Sequence, residues 1–123
     1  MPVTVLVGAQ WGDEGKGRVA DWLAERSDAM ARYAGGDNAG HTVKVGARKF
    51  GLHLVPSGVI HPHVACILGS AMVVNPLRLV AELDMLAAEG IDVSPDRVYL
   101  SPRAHVITPA HLALDGARER ALG

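Results

Sequence analysis

At 123 residues, 49% hydrophobic and 20% charged, the chain is long enough to close one domain around a core that, with only 4% aromatics, must be aliphatic. Its net charge of −1 at pH 7 excludes a general electrostatic attraction to nucleic acid or to an anionic membrane, so any phosphate must be held locally by backbone N–H groups and a few placed cations. No apolar run approaches the roughly 20 residues of a membrane span and no N-terminal stretch has the make-up of a signal peptide, which makes the cytoplasm the expected compartment.

The β-branched run at residues 3–7 reads as a buried strand ending at Gly8. A glycine-rich loop follows to about Gly15. Val19, Trp22 and Leu23 then fall at helical spacing, predicting an amphipathic helix over 16–26. A second strand is expected at 29–33, which completes a strand, loop, helix, strand unit. After a second glycine-rich loop, 42–45 and 49–54 read as a hairpin turning at Gly46-Ala47. Residues 64–68 form another apolar strand and carry the single cysteine, Cys66, which reads as a buried core thiol and cannot form an internal disulfide. Asn75, Pro76 and Gly90 are placed as cap, first residue and terminator of a helix whose apolar stripe is Leu79, Val80, Leu83, Leu86 and Ala87. A strand at 97–101 and a helix from Thr108-Pro109 close the chain. Strands alternating with helices predict a single α/β domain over 1–123, with a mainly parallel sheet, flanking helices and an inserted β-hairpin.

The first loop carries the clearest chemistry: Gly8-Ala9-Gln10-Trp11-Gly12-Asp13-Glu14-Gly15-Lys16-Gly17-Arg18 lies between a predicted strand and a helix N-terminus. Unpaired N–H groups and the helix dipole favour an anion there. Gly12, Gly15 and Gly17 allow the backbone to approach a phosphate, and Lys16 adds a point charge. The spacing departs from the P-loop, because six residues separate Gly8 from Gly15 and Gly17 replaces the hydroxyl residue after the lysine. Asp13 can replace that hydroxyl as an oxygen ligand for Mg²⁺. A carboxylate beside phosphates needs a metal or a proton-transfer role; the plainer alternative is a tight turn with solvated charges.

The second loop, Gly36-Asp37-Asn38-Ala39-Gly40-His41-Thr42, places a histidine after a strand, where functional residues of α/β folds gather. The remaining histidines say less. His61-Pro62-His63 has metal-pair spacing but no third ligand nearby, so a solvated turn is the expectation. His53 alternates with Leu52 and Leu54 and belongs on the opposite strand face; His105 and His111 carry no signal.

The run Gln10-Trp11-Gly12-Asp13-Glu14-Gly15-Lys16-Gly17 resembles the signature loop of the adenylosuccinate synthetases, with Arg18 where that family usually has lysine. Residues 36–42 resemble the family's second motif, and Leu52-His53-Leu54-Val55-Pro56-Ser57-Gly58 is similar to family sequence as well. Asp37 departs from the family and takes no role. The resemblance implies a P-loop-NTPase-like fold and a cytoplasmic, homodimeric, Mg²⁺-dependent ligase, with a partner arginine reaching the IMP site. It joins IMP to L-aspartate with GTP, the committed step from IMP towards AMP.

By the same resemblance Asp13 is the base that takes the N1 proton of IMP, after which the 6-oxygen attacks the γ-phosphate and the aspartate amine displaces phosphate. His41 is the acid. GTP falls to Gly12, Asp13, Glu14, Gly15, Lys16, Gly17, Arg18, Gly40, His41 and Thr42. IMP falls to Asp13, Glu14, Gly15, Lys16, Asn38, Ala39, Gly40 and His41. Asp13 and the Gly40 carbonyl are the implied Mg²⁺ ligands. The family's chains are several times longer, so this chain corresponds to an N-terminal portion, expected to be inactive alone. A non-catalytic module binding GTP and IMP phosphates is the alternative, and an ATP-using phosphotransferase is a third.

Overall fold

The computed structural model describes residues 2–9, 15–38 and 40–122, and for Val45 the backbone only. In order, α1 is Lys16–Ala24, β1 Ala29–Gly35, β2 His41–Val45, β3 Arg48–Leu52, β4 Ala65–Val74, α2 Pro76–Ala88, β5 Val98–Leu100, β6 His105–Val106 and α3 Pro109–Leu122; a 3₁₀ turn occupies Ser57–Ile60. Strand β4 is the centre of a parallel sheet, paired with β1 on one side and with β5 and then β6 on the other. β2 and β3 form the separate antiparallel hairpin, with His41 opposite Leu52. The expected α/β architecture with a parallel sheet and an inserted hairpin is therefore present.

The core follows from alternation. On β4, Cys66, Leu68, Met72 and Val74 point inward. They meet Val43, Phe50 and Leu52 of the hairpin, Leu54, Val55 and Val59 after it, and Leu79 and Leu86 of α2. Burying Leu-sized side chains in this way contributes about 2 kcal/mol each. Arg97, just before β5, ties the far edge together by donating from Nη2 to the carbonyls of Val59, His61 and Val64 at 3.3, 2.7 and 3.0 Å.

Several elements differ from expectation. Residues 3–7 form no strand; Val3, Val5 and Val7 are exposed and have no ladder partner among the described residues. An apolar run becomes a strand only where a neighbour pairs its amides. Strand β4 continues six residues beyond the predicted Leu68, because Gly69-Ser70 is a bulge rather than an end. Two residues there oppose Tyr33, and the backbones approach so closely that a Cβ on residue 69 would lie 2.8 Å from the Tyr33 Cα. The stripes also differ: Val19 and Trp22 of α1 and Val80 of α2 are exposed, whereas Ala24 and Glu82 are buried. Trp22 instead lies flat beneath the Arg26 guanidinium, 4.8 Å from ring centre to Cζ. Strand β6 was not foreseen, since two residues carry no periodicity.

Candidate functional site

Helix α1 begins immediately after Gly15, which caps it at φ 86°, a left-handed conformation that disfavours a side chain. The Gly15 carbonyl accepts from the Arg18 and Val19 amides at 3.1 and 3.3 Å. Among the described residues no side chain caps the helix, and its first turn holds no acidic residue, so this edge keeps the positive end of the dipole. Lys16 and Arg18 are exposed here, and Gly17 is half-buried. Gln10, Trp11, Gly12, Asp13 and Glu14, and with them most of the first motif, lie outside the described residues, as does Ala39.

A Cβ added to Gly17 would stand 3.7 Å from the Cβ of His41, so the first turn of α1 faces the start of β2. His41 is half-buried, and Asn38, Gly40 and Thr42 are arrayed around it, Gly40 exposed. Burial holds the His41 imidazole below the ordinary histidine value; Asp21 and Glu82 pull it up, while Arg32 and His53 push it down. Asp21, on α1, keeps one buried carboxylate oxygen, Oδ1, with no hydrogen-bond partner among the described residues.

Three side chains outside both motifs hold the second loop. Arg32 of β1 donates to the carbonyl of His53 and, at 2.9 Å, to that of Gly36. His53 packs its ring against Gly40. Glu82 of α2 accepts from the amides of His53, Leu54 and Val55. Asp37, given no role on resemblance, pairs with Arg78 at 3.3 Å, so its part is structural. Two of the three had a signal: Glu82 sits between Leu79 and Leu86 at helical spacing, and Arg32 occupies an inward position of a predicted strand.

Cys66 is buried, and burial pushes its thiol up to about 11. His61 and His63 have ring centroids 5.9 Å apart, and His63 turns its Nε2 to the Glu25 carbonyl. No cluster of three or more potential metal ligands occurs among the described residues. Two grooves of about 290 and 300 Å³, beside α3 and at the start of α2, draw on no predicted site residue. No helix among the described residues is long and apolar enough to cross a membrane.

Comparison with known proteins places this geometry. The family model for adenylosuccinate synthetase matches residues 5–123. Adenylosuccinate synthetases of Moorella thermoacetica and Pelotomaculum thermopropionicum are 56% and 51% identical over all 123 residues. The chain spans 28% of the length of each of them. The structure of fully ligated adenylosuccinate synthetase from Plasmodium falciparum superposes with a TM-score of 0.82 at 41% identity, covering 93% of this chain and 26% of that one. That relative gives the parallel sheet its P-loop-NTPase-like class. With a family model matching residues 5–123 and a relative 56% identical over the whole chain, the chain belongs to the adenylosuccinate synthetase family.

Proposed function

We propose that this chain carries the phosphate-binding and acid–base part of a GTP-dependent ligase that joins IMP to L-aspartate, releasing GDP and phosphate. The observation that supports it best is the approach of Gly17 to His41, which sets the anion-favouring start of α1 beside a half-buried imidazole. Phosphoryl transfer depends on positioning and charge neutralisation more than on covalent chemistry. In this reading the amides of 15–17, with Lys16, hold the GTP phosphates, and Gly40, His41 and Thr42 close on them from the second loop. Asn38, Ala39 and Gly40 border IMP. Asp13 takes the N1 proton of IMP, and His41 gives a hydrogen bond to the charge that develops as GDP leaves.

Mg²⁺ fits the donor set assigned to it, since the Asp13 carboxylate and Gly40 carbonyl are hard oxygens and Gly40 is exposed in the second loop. When bound, it neutralises phosphate charge. A homodimer in the cytoplasm completes the proposal.

Calorimetry with GTP·Mg²⁺ and IMP, paired with an adenylosuccinate formation assay, tests it. Binding of both nucleotides is expected, and in the complete enzyme Asp13→Asn and His41→Asn are each expected to abolish turnover; near-normal rates in either variant remove that residue from the chemistry. The chain spans 28% of its relatives' length, which favours a second reading as a nucleotide-phosphate-binding module. Binding of both nucleotides with no adenylosuccinate formed selects the module.

A further inference from the structure

The second loop is anchored from a place no motif touches. Glu82, only 7% exposed near the middle of α2, receives three consecutive amides: His53 at 3.1 Å, Leu54 at 3.1 Å and Val55 at 2.9 Å. One carboxylate thus fixes the backbone just where the hairpin is left, one residue after the Leu52 that pairs with His41. From that fixed backbone the His53 ring reaches back over the loop. Its Nδ1 is 3.2 Å from the Asp37 carbonyl oxygen, and a Cβ on Gly40 would lie 2.7 Å from its Cε1. A side chain at position 40 therefore requires the exposed imidazole to move. Arg32 closes the other end by bridging the His53 and Gly36 carbonyls.

We infer that Glu82 is a positioning residue: through the amides of 53–55 and the ring of His53, with Arg32 as the second tie, it holds Gly36, Asp37 and Gly40 in place and so presents Gly40 and His41 to the start of α1. The consequence for nucleotide binding rests on the proposed function; the mechanical link does not. Among the described residues Glu82 is hydrogen-bonded to none of the nucleotide-binding positions. Its mechanical effect passes through His53, and His53 is exposed, so it can be removed without opening the core.

The test uses the whole chain, ¹⁵N-labelled, as wild type, Glu82→Gln, His53→Ala, Gly40→Ala and the double variant Gly40→Ala/His53→Ala. Amide exchange at 53–55 is expected to rise about tenfold in Glu82→Gln, while β4 amides keep their protection. Shifts of loop 36–41 should move in the same direction in Glu82→Gln and His53→Ala. Gly40→Ala should drive the ring off Asp37, and adding His53→Ala to it should change the loop little further, because both substitutions act on one shared contact. IMP affinity in the presence of GTP·Mg²⁺ should fall about tenfold in His53→Ala with the thermal midpoint nearly unchanged, a split that a purely structural role does not produce.

Unmoved loop signals in Glu82→Gln and His53→Ala overturn the inference, as does loosening that spreads equally into β4, or full additivity of the Gly40 and His53 effects. Absence of nucleotide binding by the wild type overturns the proposed function alone, and the exchange comparison still decides the link.

Discussion

Lys16 and His41 are the two site side chains whose physical behaviour makes separate predictions. Lys16 stands in the first turn of α1, where in the proposed reading its ammonium reinforces the dipole against phosphate. Lys16→Ala is expected to weaken GTP binding by about 1–2 kcal/mol, the worth of a charge-assisted hydrogen bond to phosphate at a surface position. Calorimetry with GTP·Mg²⁺ reads this directly, and an unchanged Kd would remove Lys16 from the phosphate site. His41 makes a pH prediction. Burial lowers its folded value below that of the unfolded chain, with smaller pushes from Arg32 and His53. Between the two values the unfolded chain holds more protons, so stability rises with pH through that window. The contribution is complete above an unfolded value of about 6.5 and is lost as the pH falls towards the folded value. Urea midpoints measured across this range for wild type and His41→Asn should therefore converge on acidification. Parallel curves would contradict it.

Which site residues the sequence disclosed follows from the same chemistry. Lys16, Gly17 and His41 stand in loops rich in glycine, where backbone approach and exposed polar groups advertise a ligand. Arg32, His53 and Glu82 act on the loop from a strand, a hairpin exit and a helix, and their partners are backbone groups. Spacing marks Glu82 and Arg32 as inward-facing, but contacts to distant main-chain atoms leave no pattern that names the partner. The Asp13 assignment rests on resemblance and chemistry.

At the scale of elements, local capping was the most legible feature. The Asn75 side chain accepts from the Leu77 and Arg78 amides at 3.1 and 3.4 Å, Pro76 opens α2, and Gly90 follows its end at φ 82°. Asn75→Ala is expected to cost about 1 kcal/mol. What the stripe concealed is larger. Glu82→Ala leaves three amides without their acceptor in a largely dry site, and a loss of about 3 kcal/mol is expected where an exposed helix position would lose a few tenths. Chemical denaturation of both variants ranks them, and an equal loss in the two would contradict the role given to Glu82. The strand boundaries were harder to read because they depend on neighbours. Gly69-Ser70 looks like a strand end until Tyr33 is placed opposite it, and the 3–7 run looks like a strand until its pairing is sought. Propensity proposes extended backbone, and pairing decides whether it becomes sheet.

For the molecule as a whole, the arrangement is one-sided. The buried side chains lie between the inner face of the sheet, the hairpin and α2, whereas α3 buries nothing and Tyr33, Val73 and Tyr99 are exposed on the sheet strands. Parallel sheets are ordinarily covered on both faces. Cohesion is therefore concentrated around β4, and Cys66 at its centre reports on it. The thiol is fully buried beside the Pro56 carbonyl, and with its value pushed up from 9.0 to about 11 the native thiolate population at pH 8 falls by roughly a hundredfold. Labelling by a thiol reagent should then proceed through opening of the core, with rates that follow global stability when urea is raised and that fall in step with any substitution strengthening the packing around β4. Rapid labelling of the native chain, at the rate of an unfolded thiol, would mean that β4 does not hold the centre. Labelling that is slow but indifferent to urea would mean that Cys66 is reached by a local opening, separate from the core that unites sheet, hairpin and α2.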